Sequence, residues 1–149
     1  MKFTCSVDID LPRDTVVKIF DNPENMQFWQ DGFISFEHKS GQAGEQGAQS
    51  IVKYDIKGKK IELLETVIVK NLPDEFHGSY EGDYGKNTMN NYFEVIDSHK
   101  TRWRSEVDYI EMNHFMMKVM AKLMPSMFRK QTQKWMDQFK AFSEKKENL

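Results

Sequence analysis

A change in hydrophobic period near residue 112 constrains this chain more than any other feature of its sequence. From Phe33 to Tyr109 apolar and polar residues alternate, which is the pattern of strands that bury one face. From Met112 onward apolar residues return every three or four positions, which is typical of an amphipathic helix. The sequence therefore predicts an antiparallel sheet followed by a long C-terminal helix.

The residues before Phe33 predict one strand and two short helices. Residues 2–9 alternate strictly, with Cys5 on the apolar face. Pro12 suits the first turn of a helix, and Asn22 is a good cap for a second helix that ends near Gly32. The predicted order is thus strand, two short helices, six strands and a long helix.

Two tight turns predict which strand faces lie inward. A two-residue turn at Gly58-Lys59 pairs Ile56 with Ile61, Tyr54 with Leu63 and Val52 with Glu65. A three-residue turn at 98–100 pairs Val95 with Trp103, Phe93 with Ser105 and Asn91 with Val107. The fourth strand then turns its more apolar face inward, namely Ile61, Leu63, Glu65, Val67 and Val69. A register slip of one residue would reverse these assignments.

The C-terminal segment is rich in methionine and contains a proline. Pro125 should kink or break the helix, because it removes a backbone donor and crowds the preceding turn. Seven of the ten methionines lie in or just before this helix: Met112, Met116, Met117, Met120, Met124, Met127 and Met136. Flexible thioethers fill ordinary cores and also fit irregular ligands. Together with Phe115 they predict a deformable lid or cavity wall.

Composition excludes several functional classes. The net charge of -2 argues against nucleic acid and against an anionic membrane as partners, since both usually require a basic face. No apolar stretch is long enough for a membrane span, and the N-terminus lacks the apolar core of a signal peptide. Cys5 is the only cysteine, and the four histidines lack metal-ligand spacing. We therefore predict one cytoplasmic domain over residues 1–149, without metal or cofactor.

The order of several short segments resembles a known superfamily. The segments are residues 11–17 after the opening strand, Asn22-Pro23-Glu24, Phe28-Trp29, Asn71-Leu72-Pro73, Thr101-Arg102-Trp103 and residues 139–142. In this order the chain resembles the START-related and birch-pollen-allergen-like superfamily (SRPBCC), specifically its polyketide cyclase/dehydrase branch. The resemblance implies an α+β helix-grip fold. In that fold a curved seven-stranded antiparallel sheet surrounds a long C-terminal helix, with two short helices after strand 1.

The resemblance also implies a cavity between the sheet and the long helix. Such a cavity would hold a lipid, isoprenoid or polyketide-like molecule, with the protein acting as carrier or sensor. A fold does not fix a function, and this superfamily shares no catalytic signature, so no catalytic residue is assigned. A small cyclase or dehydratase, and a protein-interaction module that uses the Met-rich helix, remain alternatives.

Fourteen residues are the predicted lining of the cavity. They are Val52, Tyr54, Leu63, Glu65, Val67, Asn91, Phe93, Trp103, Ser105, Val107, Tyr109, Met120, Met124 and Phe128. Glu65 is the sharpest candidate among them, because a carboxyl group in an apolar interior has a raised pKa. It would then serve as a general acid–base group, with a tyrosine as partner, or anchor a ligand amine or hydroxyl. The alternative is a solvated position near the cavity mouth.

Overall fold

The computed structural model describes residues 1–147, and the order of its elements is the predicted one. The strands are β1 (Lys2–Ile9), β2 (Phe33–Ser40), β3 (Gln49–Ile56), β4 (Lys59–Asn71), β5 (Glu75–Gly82), β6 (Gly85–Asp97) and β7 (Lys100–Met112). The helices are α1 (Arg13–Phe20), α2 (Met26–Trp29), α3 (Phe115–Leu123) and α4 (Pro125–Glu147), with a 3-10 turn at Pro23–Asn25. Asn22 caps that turn, accepting a hydrogen bond from the Glu24 amide at 3.0 Å.

The seven strands form one antiparallel sheet in the order β1-β7-β6-β5-β4-β3-β2. The fold class is therefore the predicted helix-grip arrangement. Helix α4 joins the two edges of the curved sheet. On one side Gln133 donates a hydrogen bond to the Ser6 carbonyl of β1 at 3.0 Å. On the other, Trp135 donates to the Asp31 carbonyl just before β2 at 3.1 Å. The helix thus covers the edge of β1, which would otherwise stay open.

The predicted hairpin registers are wrong by two residues. Because this shift is an even number, the predicted inward faces are nevertheless correct. The β3–β4 turn is Lys57-Gly58, with both residues at positive φ (54° and 84°), as a tight hairpin turn requires. The observed partners are Tyr54 with Ile61, Val52 with Leu63 and Ser50 with Glu65. In the β6–β7 hairpin they are Phe93 with Trp103, Asn91 with Ser105 and Met89 with Val107. Side chains alternate with period two, so a shift of two preserves the face.

One residue of the predicted inward face of β4 is displaced by a bulge. The register between β4 and β5 shifts between Val67 and Val69, which leaves Ile68 exposed. An extra residue in one strand reverses the alternation beyond it. Consequently Lys70, and not Val69, lines the interior in the last part of the strand.

The C-terminal region contains two helices, which confirms the break predicted at Pro125. The backbone of Met124 leaves the helical region (φ −137°, ψ 60°), and α4 begins at the proline itself. Helix α3 starts at Phe115 because β7 continues to Met112, three residues beyond the predicted last strand residue Tyr109. In residues 1–147 no helix is both long and apolar enough to cross a membrane.

An aromatic cluster closes one end of the space between the sheet and α4. The Phe20 ring of α1 contacts Phe93, Trp103 and Phe76 with ring centroids 5.0, 5.3 and 5.6 Å apart. Phe139 of α4 is fully buried and lies 5.1 Å from both Trp29 and Trp103. Perpendicular ring contacts of this kind stabilise a core beyond the burial of apolar area.

Candidate functional site

Next to the aromatic cluster, whose Phe20, Trp29 and Trp103 rings border it, the sheet and α4 form a cavity of about 1370 Å³. The concave face of β3–β7 forms one wall, and residues of α4 such as Phe128 and Trp135 form the other. The two walls meet where the Trp135 ring stacks on Tyr54, with centroids 5.0 Å apart. The Tyr54 hydroxyl donates a hydrogen bond to Gln30 at 2.9 Å. This contact fixes the tyrosine between the sheet, the helix and the α2–β2 connection.

A row of polar side chains crosses the floor of the cavity from strand to strand. The observed registers place these residues directly opposite one another in five consecutive strands, in the order Ser50, Glu65, Tyr80, Asn87 and Tyr109. All five line the cavity. Directly opposite residues are near enough to interact across neighbouring strands. We call this set the polar row.

Apolar residues flank the polar row on both sides. On one side the next inward positions are Val67, Gly78, Met89 and Val107, paired in that order across β4–β7. On the other side Leu63 and Tyr54 line the cavity. Gly78 leaves room for the Tyr80 side chain, because a Cβ there would lie 3.1 Å from the Tyr80 hydroxyl. The cavity floor is therefore a polar stripe between two largely apolar surfaces.

Glu65 is the one carboxyl group within the polar row. Burial raises its pKa, and a hydrogen bond from the Tyr80 hydroxyl offsets part of this rise by stabilising the carboxylate. The Glu65 side chain is half-buried, and its accessible part faces the cavity. Burial likewise raises the pKa of Tyr80, and the nearby Glu65 raises it further. Both groups therefore hold their protons more firmly than they would in water.

The other end of the polar row is fixed by hydrogen bonds between side chains. The Tyr84 hydroxyl contacts both the Tyr80 carbonyl, at 3.0 Å, and the side-chain oxygen of Asn87. The side-chain oxygen of Asn87, and not its amide nitrogen, faces the Tyr84 hydroxyl. Burial raises the pKa of Tyr109 to about 12. These tyrosines are therefore neutral hydrogen-bonding groups at physiological pH.

The structure brings nine of the fourteen predicted residues to the cavity wall. They are Tyr54, Leu63, Glu65, Val67, Asn91, Trp103, Val107, Tyr109 and Phe128. The Asn91 side chain accepts a hydrogen bond from the Trp103 indole at 3.0 Å, so its oxygen is already engaged. Whether any of the nine contacts a ligand remains a prediction.

The other five predicted residues lie elsewhere. Val52, Phe93 and Ser105 share the concave face, but neighbouring side chains cover them almost completely. Met120 and Met124 do not line the cavity. Pro125 separates two helices, so a single helical phase does not continue through the segment. Met117 and Met127 line the cavity in their place.

Sequence reasoning missed Tyr80 and Asn87, which are central to the polar row. Both lie next to the Gly82–Gly85 turn, where we assigned no face to the strands. The alternation of Phe76, Gly78 and Tyr80 contained the signal, since it continues the inward face once the β4–β5 register is known.

Comparison with solved structures supports the fold, whereas comparison of the sequence finds no match. No protein-family model matches the sequence, and no curated protein sequence matches it. Solved structures do match. The ZhuI aromatase/cyclase from Streptomyces sp. R1128 is 9% identical with a TM-score of 0.79, covering 97% of this chain and 93% of that one. Ara h 8.0201 is 15% identical with a TM-score of 0.69, covering 96% and 97%.

A START superfamily protein from Mycobacterium smegmatis is similar to the same extent, at 14% identity and a TM-score of 0.69, covering 92% of this chain and 97% of that one. At such low identity these likenesses establish the fold alone. The predicted resemblance to the SRPBCC superfamily is therefore confirmed at the level of the fold.

Proposed function

We propose that this protein binds a small hydrophobic or amphipathic molecule in the cavity between the sheet and α4, as a carrier or sensor. The observation that supports this most directly is the polar row between two apolar surfaces inside a cavity. Ligand sites are typically apolar pockets of about 300–1,000 Å³ with a few convergent polar groups. A cavity of about 1370 Å³ has room for a lipid, an isoprenoid or a polyketide-like compound.

The apolar surfaces and the polar row would have different roles in ligand recognition. Apolar contacts would supply affinity, at about 25 cal/mol for each Å² removed from water. The polar row would orient the ligand, because a buried polar group without a partner is costly. Glu65 accepts hydrogen bonds when ionised and donates one when protonated. A ligand hydroxyl or amine placed opposite Glu65 and Tyr80 satisfies both.

The contact between Tyr80 and Glu65 favours a second candidate, a small enzyme of the cyclase or dehydratase type. A carboxyl group with a raised pKa, hydrogen-bonded to a tyrosine in an apolar site, is suited to general acid–base catalysis. A cavity that serves this chemistry would need the same polar row. Turnover of a candidate substrate, with a pH dependence that Glu65→Gln abolishes, would favour this reading over a carrier.

Native mass spectrometry of the purified protein is the first test of ligand binding. We expect an added mass under gentle conditions and the bare chain mass after denaturation, with the released molecule identified as a lipid, isoprenoid or polyketide-like compound. If no ligand is retained, titration with a panel of those three classes follows. Failure of every class to bind at micromolar concentration would contradict the proposal.

Two matched variants then test the role of the polar row. Glu65→Gln removes the charge inside the cavity, whereas Glu37→Gln removes a charge from the exposed surface of β2, where Glu37 contacts Lys39. We expect Glu65→Gln to change the affinity for a bound ligand by about fivefold or more, and Glu37→Gln to leave it unchanged. Equal affinities and equal pH dependence for both variants would remove Glu65 from the site.

A further inference from the structure

Among residues 1–147, the three most exposed large apolar side chains lie on α3, and further exposed methionines follow at the start of α4. Seven of the nine residues in α3 are apolar, yet none of them is buried. Phe115 is 77% exposed and Leu123 is 72% exposed. Met116, Met124 and Met127 are exposed as well. We call these five residues the α3 face. Large apolar patches on a protein surface usually mark an interaction site.

Basic residues predominate in the sequence segment that carries the α3 face, although the whole chain is slightly acidic. Residues 112–136 contain five lysines and arginines and no aspartate or glutamate, whereas the whole chain has 23 acidic residues. Of these five, Lys134 pairs with Asp31 at 2.7 Å, so four are available to a partner charge. In α3 the helical period places Lys118 and Lys122 in a row beside the row of Phe115, Val119 and Leu123. The chain total of -2, used above against an anionic membrane, therefore conceals a basic and apolar surface.

The combination of apolar and basic residues identifies the partner that fits this face. Protein interfaces are depleted in lysine at their centres, and a second copy of this chain would bring a second set of positive charges. A helix with apolar residues beside lysines is suited to lie in the interface of an anionic lipid layer. We propose that the α3 face docks on an anionic lipid surface, with Phe115 and Leu123 inserted and Lys118 and Lys122 near the headgroups.

The position of this segment relates docking to the cavity without depending on it. Met117 of α3 and Phe128 of α4 line the cavity, and so does Met127, which also belongs to the α3 face. A lipid layer against the α3 face would therefore contact the same short segment that forms part of the cavity wall. Docking can nonetheless be measured on protein that carries no ligand, so its failure would not count against the proposed cavity ligand.

Co-sedimentation with vesicles tests the proposal directly. We expect the full chain to bind vesicles of phosphatidylcholine and phosphatidylserine in equal amounts, and to bind phosphatidylcholine alone more weakly. The double variant Phe115→Ser/Leu123→Ser should lower the partition coefficient about tenfold or more. The matched control is Val95→Ser/Ile96→Ser, at two apolar positions that are 58% and 42% exposed on β6. This control should bind as the unmodified chain does.

A second pair of variants isolates the charge contribution. Lys118→Gln/Lys122→Gln should lower binding to the anionic vesicles about twenty-five-fold, because each basic residue near such a surface contributes about fivefold. Lys18→Gln/Lys39→Gln, at exposed positions outside the basic segment, should have little effect. All of these sites are exposed or lie on the surface, so thermal unfolding should confirm that every variant folds.

Three results would overturn the proposal. One is absence of binding to both kinds of vesicle. Another is binding that the α3 variants and their controls reduce equally, which would indicate non-specific adsorption. The third is a dimer in light scattering that Phe115→Ser/Leu123→Ser converts to a monomer, since the face would then be covered by a second copy.

Discussion

The two ends of the space between the sheet and α4 differ in packing, since one is occupied by aromatic side chains and the other borders a cavity. At the closed end, the rings of Phe20, Trp29, Phe93, Trp103 and Phe139 pack against one another, and Phe20, Trp29 and Trp103 also border the cavity. At the open end, the polar row faces a cavity and α3 buries none of its residues. The same strands, β6 and β7, contribute to both ends. The difference therefore arises from which residues occupy successive inward positions and not from separate structural units.

This contrast indicates where stability and binding reside. Close-packed aromatic side chains contribute dispersion and apolar burial, and neither is recovered if the cluster is opened. A buried carboxyl group and a cavity beside the core cost stability, a cost that proteins commonly bear at functional sites. Five experiments can break or sharpen the contrast, and they follow in order of expected effect.

The largest effect is expected from Phe139→Ala at the closed end. Phe139 is fully buried and contacts three aromatic rings, so truncation should lower the free energy of unfolding by about 3–5 kcal/mol. Urea unfolding measures this change. A loss below about 1 kcal/mol would mean that the closed end does not carry the stability assigned to it.

Hydrogen exchange should separate the two ends without any substitution. The amides of α3 should exchange more than about a hundredfold faster than those in the centre of β7, because segments with few buried contacts open locally. Equal protection of residues 112–128 and of the sheet would contradict the predicted lid. It would also show that the contrast in packing has no counterpart in dynamics.

Filling the cavity should impair binding while sparing the fold. Leu63→Trp places a large side chain in the open end, and we expect it to weaken binding of the ligand identified by mass spectrometry about tenfold or more. The control Leu64→Trp lies on the opposite face of β4 and should bind normally. If Leu63→Trp bound ligand as tightly as the unmodified chain, the binding site would have to lie elsewhere.

Glu65 should make stability depend on pH. Its pKa is raised in the folded state, so the folded chain resists ionisation and loses stability as the pH rises above about 4, the pKa expected when unfolded. In Glu65→Gln this loss is absent. The difference in unfolding free energy between the variant and the unmodified chain should therefore grow with pH, by about 1.4 kcal/mol for each unit between the two pKa values. A constant difference from pH 4 to 8 would contradict an enclosed Glu65.

The smallest effect is expected at Ser105. Its hydroxyl is fully buried and finds no hydrogen-bond partner in the part of the chain that the structure describes. Ser105→Ala should therefore change the unfolding free energy by less than about 0.5 kcal/mol or stabilise the protein. The buried Thr101 is the matched contrast, because its hydroxyl donates to the Leu11 carbonyl at 2.8 Å. Thr101→Val should cost about 1–3 kcal/mol, and equal effects at both sites would refute the distinction.

Much of the site could be predicted because a strand face is a local property. Alternation together with a predicted hairpin turn placed Glu65 inward, and a turn predicted one residue too late did no harm, since the resulting error was two residues. The same reasoning failed at Val69, where a bulge that no local pattern announced reversed the alternation. It also failed at Met120 and Met124, since the phase of two helices separated by Pro125 depends on how each helix packs.

The sequence by itself determined the order of the elements, the inward face of most strands and the break at Pro125. Each of these depends on backbone and side-chain preferences over a few residues. Only the tertiary structure decided that Ser50, Glu65, Tyr80, Asn87 and Tyr109 form one row, because that row exists only when five strand registers are fixed together. It likewise decided which inward residues border open space and which are packed. A cavity depends on how all of the surrounding side chains pack, and no local sequence pattern encodes that packing.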